Sequence, residues 1–230
     1  MKRALTTAAA LAVLSLNVQA DGLTANVTVA SKYKYRGQDQ SDTKEDFIPA
    51  IQGGFDYASG AFYIGNWNSS IGFAHGTEVD LYGGFKGEAA GMGYDVGVLT
   101  YYYPGTGASV LNTTELYGAL SYGIVSAKYS LTVSDKYFGV PDGNGTGYLD
   151  LSANYEFMPG TTLNAHVGYT GFSSGAKDVG AVNYTDYKLG ATKDLGNGFS
   201  AAAAWVGADK DKQWAGVNKD RFVLTLTKTM

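Results

Sequence analysis

The chain contains no cysteine, and past its first twenty residues it has no apolar run approaching the roughly 18 residues of a membrane-spanning helix. Without cysteine, neither a disulfide framework nor a thiolate metal site is available. Stability therefore rests on hydrogen bonds and packing. Basic residues are also few, 17 against 21 acidic, for a formal net charge of −4. Such a balance argues against a nucleic-acid partner, which leaves a basic signature on the domain that binds it. Glycine (32) and proline (4) together fall short of collagen-like levels, and 13% aromatic residues argue against disorder.

The start is a targeting segment. In "MKRALTTAAALAVLSLNVQA", Lys2 and Arg3 precede a short apolar run from Ala4 to Leu16, followed by the small-x-small pattern Val18-Gln19-Ala20. This is the layout of a bacterial secretory signal peptide cleaved after residue 20. Its removal takes two cations away and leaves 21–230 as one domain, since no linker or charge run divides it.

After Leu23 almost every segment alternates with period two, the signal of half-buried strands, and no stretch carries a helical apolar stripe. In "TTLNAHVGYTG", Leu163, Ala165, Val167 and Tyr169 share one face, with Thr162, Asn164, His166 and Thr170 on the other. "YLDLSANYEF" and "RFVLTLTKTM" repeat the pattern. Short connections ("ASG", "EAAG", "YGI", "MPG", "LGNG") alternate strictly with long polar ones ("RGQDQSDTKED", Ser70 to Gly76, "PGTGASVLN", "DKYFGVPDGNGT", "FSSGAKDVGAVN", "DKDKQWAGVN"). Six long and five short connections imply about twelve strands, with both termini on the short-turn side.

This predicts an all-β fold: a transmembrane, antiparallel, up-and-down β-barrel with short periplasmic turns and longer external loops. A soluble sandwich also alternates, but its core face carries bulky aliphatics. Here the apolar face is thin, and Tyr33, Tyr35, Tyr57, Tyr102, Tyr155, Phe157 and Trp205 bunch near strand ends, as an interfacial girdle would. "AFYIGNWNS" alone leaves its facing open, with Tyr63 and Trp67 opposing Phe62, Ile64, Asn66 and Asn68.

If the apolar face meets lipid, the other lines the lumen. Continuing the alternation of the first strand turns Tyr33 and Tyr35 outward and Lys32, Lys34 and Arg36 inward, before "RGQDQSD" leaves as the first external loop. Other strands turn in Asp56, Glu78, Asp80, Asp95, Glu115, Asp150, Glu156 and Asp186, with Lys128, Lys188 and Arg221 as further cations. A basic patch on strand one then faces acidic strands across the mouth, a transverse field that orients polar solutes. The alternative is that the charges pair and plug the barrel. Inward glycines 54, 84, 93, 97, 168 and 190 favour an open lumen, since they leave space where a side chain would intrude.

The motifs "YRGQDQSD", "PAIQGGFDY", "EVDLYGGF", "YDVGVLTYYYPG", "TELYGALSYG", "YLDLSANYEF", "AHVGY" and "YTDYKLGATKDLG", in this order, resemble the proteobacterial TorF-type porins. The resemblance spans most of Tyr33 to Gly196 and implies an outer-membrane barrel of porin type. Such barrels usually end on an aromatic residue read by the barrel-assembly machinery, whereas this chain ends on Met230, so slowed assembly is expected. "GFSSG" at 171–175 matches G-x-S-x-G, but with no helix expected after it Ser173 lacks the strand-to-helix turn that motif needs. His75 and His166 have no metal-ligand spacing, and "DGNGTG" opens no helix to cradle phosphate. No enzyme, cofactor or metal site is expected.

The expected function is passive diffusion of small hydrophilic solutes through the outer membrane of a Gram-negative bacterium. Its partners would be membrane lipid, the solutes and the assembly machinery, with a homo-oligomer left open. A non-conducting receptor or scaffold barrel is the first rival, and a barrel hydrolase the second.

Overall fold

The computed structural model describes residues 21–105 and 107–230, so the expected signal peptide at 1–20 lies outside the described residues. The strands are Gly22–Ala30 (β1), Lys34–Tyr35 (β2), Gln38–Asp39 (β3), Ala50–Ser59 (β4), Phe62–Ser70 (β5), Thr77–Ala89 (β6) and Met92–Tyr102 (β7). They continue with Thr113–Tyr122 (β8), Val125–Thr132 (β9), Gly147–Met158 (β10), Thr161–Gly171 (β11), Tyr184–Gly196 (β12), Phe199–Ala208 (β13) and Arg221–Thr229 (β14). Among the described residues, β1 and β4 to β14 close a twelve-stranded barrel, each strand antiparallel to its neighbours, while β2 and β3 form a separate hairpin.

Closure is made by β1, which pairs with β4 (Val29 opposite Ile51) and with β14 (Val29 opposite Leu226). The seam reaches the last residue, for the Met230 and Ala25 backbones exchange two hydrogen bonds of 2.8 and 3.0 Å. The short connections fall where the alternation placed them. Ala90-Gly91 and Asn197-Gly198, with φ of 52° and 75° and of 52° and 77°, are two-residue turns of positive φ whose twist suits a hairpin.

The outer face is an apolar belt. Ile51, Leu81, Leu120, Leu189 and Leu224 are exposed, and Tyr57, Tyr102, Tyr155, Phe157 and Trp205 stand outward with them. β5 is now assigned: Tyr63 is buried and Trp67 packs against an interior cluster, while Phe62 and Ile64 face out. Asn66 and Asn68 share that outer face and bond the backbone of β4. Asn66 Oδ1 accepts from the Phe55 N–H at 3.3 Å, and Asn68 Nδ2 donates to the Gly53 carbonyl at 3.1 Å.

Inside, several expected open spaces are filled. A Cβ on Gly97 would stand 2.5 Å from Tyr117 Oη, on Gly84 2.7 Å from Tyr63 Oη, and on Gly168 2.2 Å from Tyr148 Oη. Gly97 lies directly opposite Tyr117, and Gly84 opposite Tyr63, on adjacent strands. The glycines thus let tyrosines lie flat along the wall, which corrects the expectation that they simply widen the lumen. Gly190 is likewise tight, its Cβ site lying 2.6 Å from Ala204 Cβ.

Gly97→Ala should therefore destabilise the folded barrel by about 1–3 kcal/mol, the usual cost of overpacking. Gly118 has only Val96 Cγ1 near its Cβ site, at 3.9 Å, so Gly118→Ala should stay within about 0.5 kcal/mol of the parent. Urea unfolding of the two variants in lipid vesicles, followed by tryptophan fluorescence, measures the difference.

Candidate functional site

β1 leaves the sheet at Ala30. Residues 31–49 then form an excursion whose ends meet, with the Ile48 N–H donating to the Ser31 carbonyl at 3.1 Å. The first part of it turns into the barrel. Lys34 pairs with Asp39 and Tyr35 with Gln38 in the β2–β3 hairpin, and the two turn residues, Arg36 and Gly37, have φ of 46° and 76°. Two positive φ values in a two-residue loop are what a tight hairpin needs, and glycine supplies the second without strain.

The hairpin tip crosses the lumen. Arg36 grips Glu115 on β8 through two bonds of 2.8 and 2.7 Å, donates to the Tyr137 hydroxyl at 3.0 Å, and lies 4.0 Å above the Tyr148 ring. This bidentate fork suits a guanidinium, and its partner is 1% exposed. Gly37 rests on the opposite wall, where a Cβ would stand 2.6 Å from Asp186 Cβ and 2.7 Å from the Gly207 carbonyl.

The hairpin base is fixed with equal care. The Tyr33 and Tyr103 hydroxyls donate to the two oxygens of Glu78 at 2.8 and 2.6 Å, and the Tyr35 and Tyr101 hydroxyls are 2.5 Å apart. Asp39, also buried, meets Arg221 Nη2 at 2.7 Å and Lys34 Nζ at 3.2 Å. Burial pulls the Lys34 ammonium down to about 8, and Asp39 opposes that pull. Lys32 donates to the Asp42 and Glu45 carbonyls at 2.5 and 2.7 Å.

Two expectations are corrected here. Tyr33 is 7% exposed and packs inside with Tyr35, so neither belongs to the outer girdle. Gln38, Asp39 and Gln40 fold inward, so "RGQDQSD" does not leave directly as an external loop. The physical reason is common to both: alternation assigns faces only along a strand that stays in the ladder, and this one departs before Lys32. Lys32, Lys34 and Arg36 are buried, yet they sit on the excursion and not on strand one.

The remaining residues group by wall. Glu78 and Asp80 on β6 are buried, and Asp80 Oδ1 has no hydrogen-bond partner among the described residues. Asp95 accepts from the Tyr63 hydroxyl at 2.6 Å, Asp56 from the Tyr82 hydroxyl at 2.6 Å, and Lys128 Nζ lies 4.0 Å over the Tyr117 ring. On the far side His166 stands between two carboxylates, Nδ1 3.1 Å from Asp150 and Nε2 2.7 Å from Asp186. Lys188 is directly across from His166 in register. Glu156 is exposed at the short-turn rim and accepts from the Gly160 N–H at 2.7 Å.

Sequence reasoning missed Asp39, Tyr101, Tyr103, Tyr137 and Tyr148 as parts of this site. The only hint was Arg36-Gly37 between two short alternating pairs, weaker than the usual Asn-Gly signal. The reading of "GFSSG" is also corrected, for a short helix, Ser174–Asp178 (α1), starts within it, directly after Ser173. Ser173 is its N-cap: the hydroxyl accepts from the Ala176 N–H at 3.1 Å and donates to the Asp142 carbonyl at 2.6 Å. That hydroxyl is engaged in capping.

Removing Arg36 would leave the buried Glu115 without its cation, a change that costs about 3–5 kcal/mol in buried pairs. Arg36→Ala should lower barrel stability by that order, and Arg36→Ala with Glu115→Gln should recover a large part of it. Urea midpoints of the single and double variants measure the coupling; additive losses would show that the pair is not a unit.

The barrel's shape is shared with solved porins. The KdgM porin, solved in complex with disordered oligogalacturonate, superposes with a TM-score of 0.59 at 6% identity, covering 89% of this chain and 98% of that one. The NanC porin gives 0.56 at 8% identity, covering 90% and 98%. At such identities the likeness is one of fold. No curated protein matches the chain in sequence. A family model described as "Bacterial protein of unknown function (Gcw_chp)" matches residues 19–230, and the chain belongs to that family.

Proposed function

We propose that the protein is an outer-membrane channel of porin type, passing small hydrophilic solutes by passive diffusion, with the β2–β3 hairpin as its constriction. One observation carries this reading: unfilled space continues beneath the hairpin. A cavity of about 80 Å³ lies there, lined by Lys34, Gln52 and Lys188 and by small side chains such as Ala30, Ala202 and Ala204. A barrel built only as a rigid scaffold has no need of an incompletely filled interior, and solute channels do. The secretory leader, the apolar outer belt and the fold shared with KdgM and NanC support the outer membrane as its location. The ordered motifs that resemble TorF-type porins support the same reading.

In this reading the path runs past the hairpin's Lys32, Lys34 and Arg36 and the wall residues Glu78, Asp80, Glu115, Asp150, Asp186 and Arg221. It opens towards Asp56, Asp95, Lys128 and Lys188 below, with Glu156 at the far rim. No chemical step is assigned to any of them. A second reading has its own support, since the hairpin is tied to β6, β8 and β14 by Tyr33–Glu78, Arg36–Glu115 and Asp39–Arg221. So anchored, it would make the protein a barrel without a continuous pore, acting through its loops as a receptor or scaffold.

Single-channel recording in planar bilayers separates the two. Gly37→Val places a branched side chain where the wall leaves no room and where φ is 76°, and so should dislodge the hairpin tip. The channel reading expects discrete steps from the parent and at least two-fold larger ones from Gly37→Val. Steps from the variant alone would identify the hairpin as a plug. Silence from both would overturn the porin reading.

A further inference from the structure

One strand interrupts the outer belt with carboxamides. On β5 the outward positions run Phe62, Ile64, Asn66, Asn68 and Ser70, whereas the other carboxamides of the barrel strands, Asn26, Gln52, Asn154 and Asn164, lie on the inward face. Asn66 stands between Phe55 of β4 and Leu81 of β6, both exposed, and Asn68 stands between Gly53 and Val79. Amides so placed face hydrocarbon, where polar groups are costly unless a partner meets them.

The bonds to β4 account for half of each amide. Asn66 spends Oδ1 on the Phe55 N–H, and Asn68 spends Nδ2 on the Gly53 carbonyl. These backbone groups fix which end is which, since an N–H only donates and a carbonyl only accepts. The opposite ends, a donor on Asn66 (Nδ2) and an acceptor on Asn68 (Oδ1), bond no described residue, and neither is buried in the wall. A clasp on β4 does not require an amide, for the Ser70 hydroxyl accepts from the Ile51 N–H at 3.0 Å in the same manner. Beyond what the ladder uses, β5 therefore offers one unspent donor and one unspent acceptor to whatever covers its outer face.

We infer that β5 is the contact strand of a homodimer in the membrane, Asn66 Nδ2 of each copy donating to Oδ1 of the partner's Asn68. The inference rests on the outer-membrane reading, which makes this face a lipid-facing one. Lipid tails supply neither donor nor acceptor, whereas a second copy supplies both in complementary order. Orientation selects the symmetry. Two copies with their long loops on the same side are related by a twofold axis along the membrane normal, and such an interface is self-complementary. Two facing β5 strands, each tilted by about 40°, then lean in opposite directions across the axis. Each Asn66 comes to lie beneath the partner's Asn68, roughly 5 Å lower, since two residues advance about 6.6 Å along a tilted strand. Facing carboxamides span that step where the walls approach closely, and Gly53 beside Asn68 and Gly83 beside Ile64 carry no side chain to hold them apart.

The chain has no cysteine, so single cysteines report the contact directly. Ile64→Cys places a thiol on the outer face of β5, and Val167→Cys places one on the outer face of β11, six strands away in either direction around the barrel. In vesicles at a fixed protein-to-lipid ratio, a short bis-maleimide should link the Ile64→Cys chain into dimers and leave the Val167→Cys chain monomeric. Adding Asn66→Leu and Asn68→Leu to the former should weaken association about ten-fold, read from the cross-linked fraction on dilution with lipid. Asn66→Thr with Asn68→Thr keeps a hydroxyl for each bond to β4 and should weaken association as much; this pair carries the test if the leucine variant does not fold. Equal cross-linking at the two sites, or dimers unchanged by the threonine pair, overturns the interface. Vesicle flotation keeps the two proposals apart. A chain that floats with the vesicles and stays monomeric sinks the dimer alone, while a chain that does not float removes the lipid-facing surface and overturns both.

Discussion

A peptide group left unpaired in hydrocarbon costs several kcal/mol, so a sheet that faces lipid has no tolerable free edge. Every other feature of this protein follows from that constraint. It requires β1 to meet β14, carries the seam to the backbone of Met230, and forces each strand to present one face to lipid and one to an enclosed interior. The interior is then the only place where charged side chains of the strands can go. Closure thus creates the electrostatic problem that the rest of the chain solves.

Its solution is an exchange between the hairpin and the wall. The strands bring Glu78 and Glu115 into a confined space without enough cations of their own, and the excursion after β1 supplies Tyr33 to one and Arg36 to the other. In return the hairpin carries Asp39, which meets the wall's Arg221. Each side is left with buried, uncompensated charge if the other withdraws, so docking and charge satisfaction are one event. The positive φ of Arg36 is stabilised in the same way, since the residue held in that unfavourable conformation is the one gripped by Glu115 and stacked on Tyr148.

Much of the barrel was legible because period two is a property of every residue in a ladder. Strand number, closure, turn positions and the outward Tyr57, Tyr102, Tyr155, Phe157 and Trp205 all follow from it. It fails at Tyr33 and Tyr35, since the same alternation continues past Ala30 into a hairpin that pairs with itself. Nothing local separates a lysine-tyrosine alternation in the barrel wall from one inside the barrel. The glycines misled for a related reason: at Gly84 and Gly97 the missing side chain makes room for Tyr63 and Tyr117 from the next strand, and that partner is a matter of register. Arg36-Gly37 was the one local clue, masked by the rarity of arginine at a left-handed turn position.

Barrel width explains why such an arrangement is possible. Eight strands enclose a space that side chains alone fill, and sixteen leave an aqueous channel; twelve enclose room for one additional two-stranded ribbon. Inserted off-centre, with its tip on Asp186 and Gly207 and its arginine on Glu115, the ribbon leaves the remaining space against the small residues of β12 to β14. The acids and most tyrosines are drawn to the side that the hairpin contacts. The polarity of the interior is therefore set as much by what the hairpin has already bound as by the strands themselves.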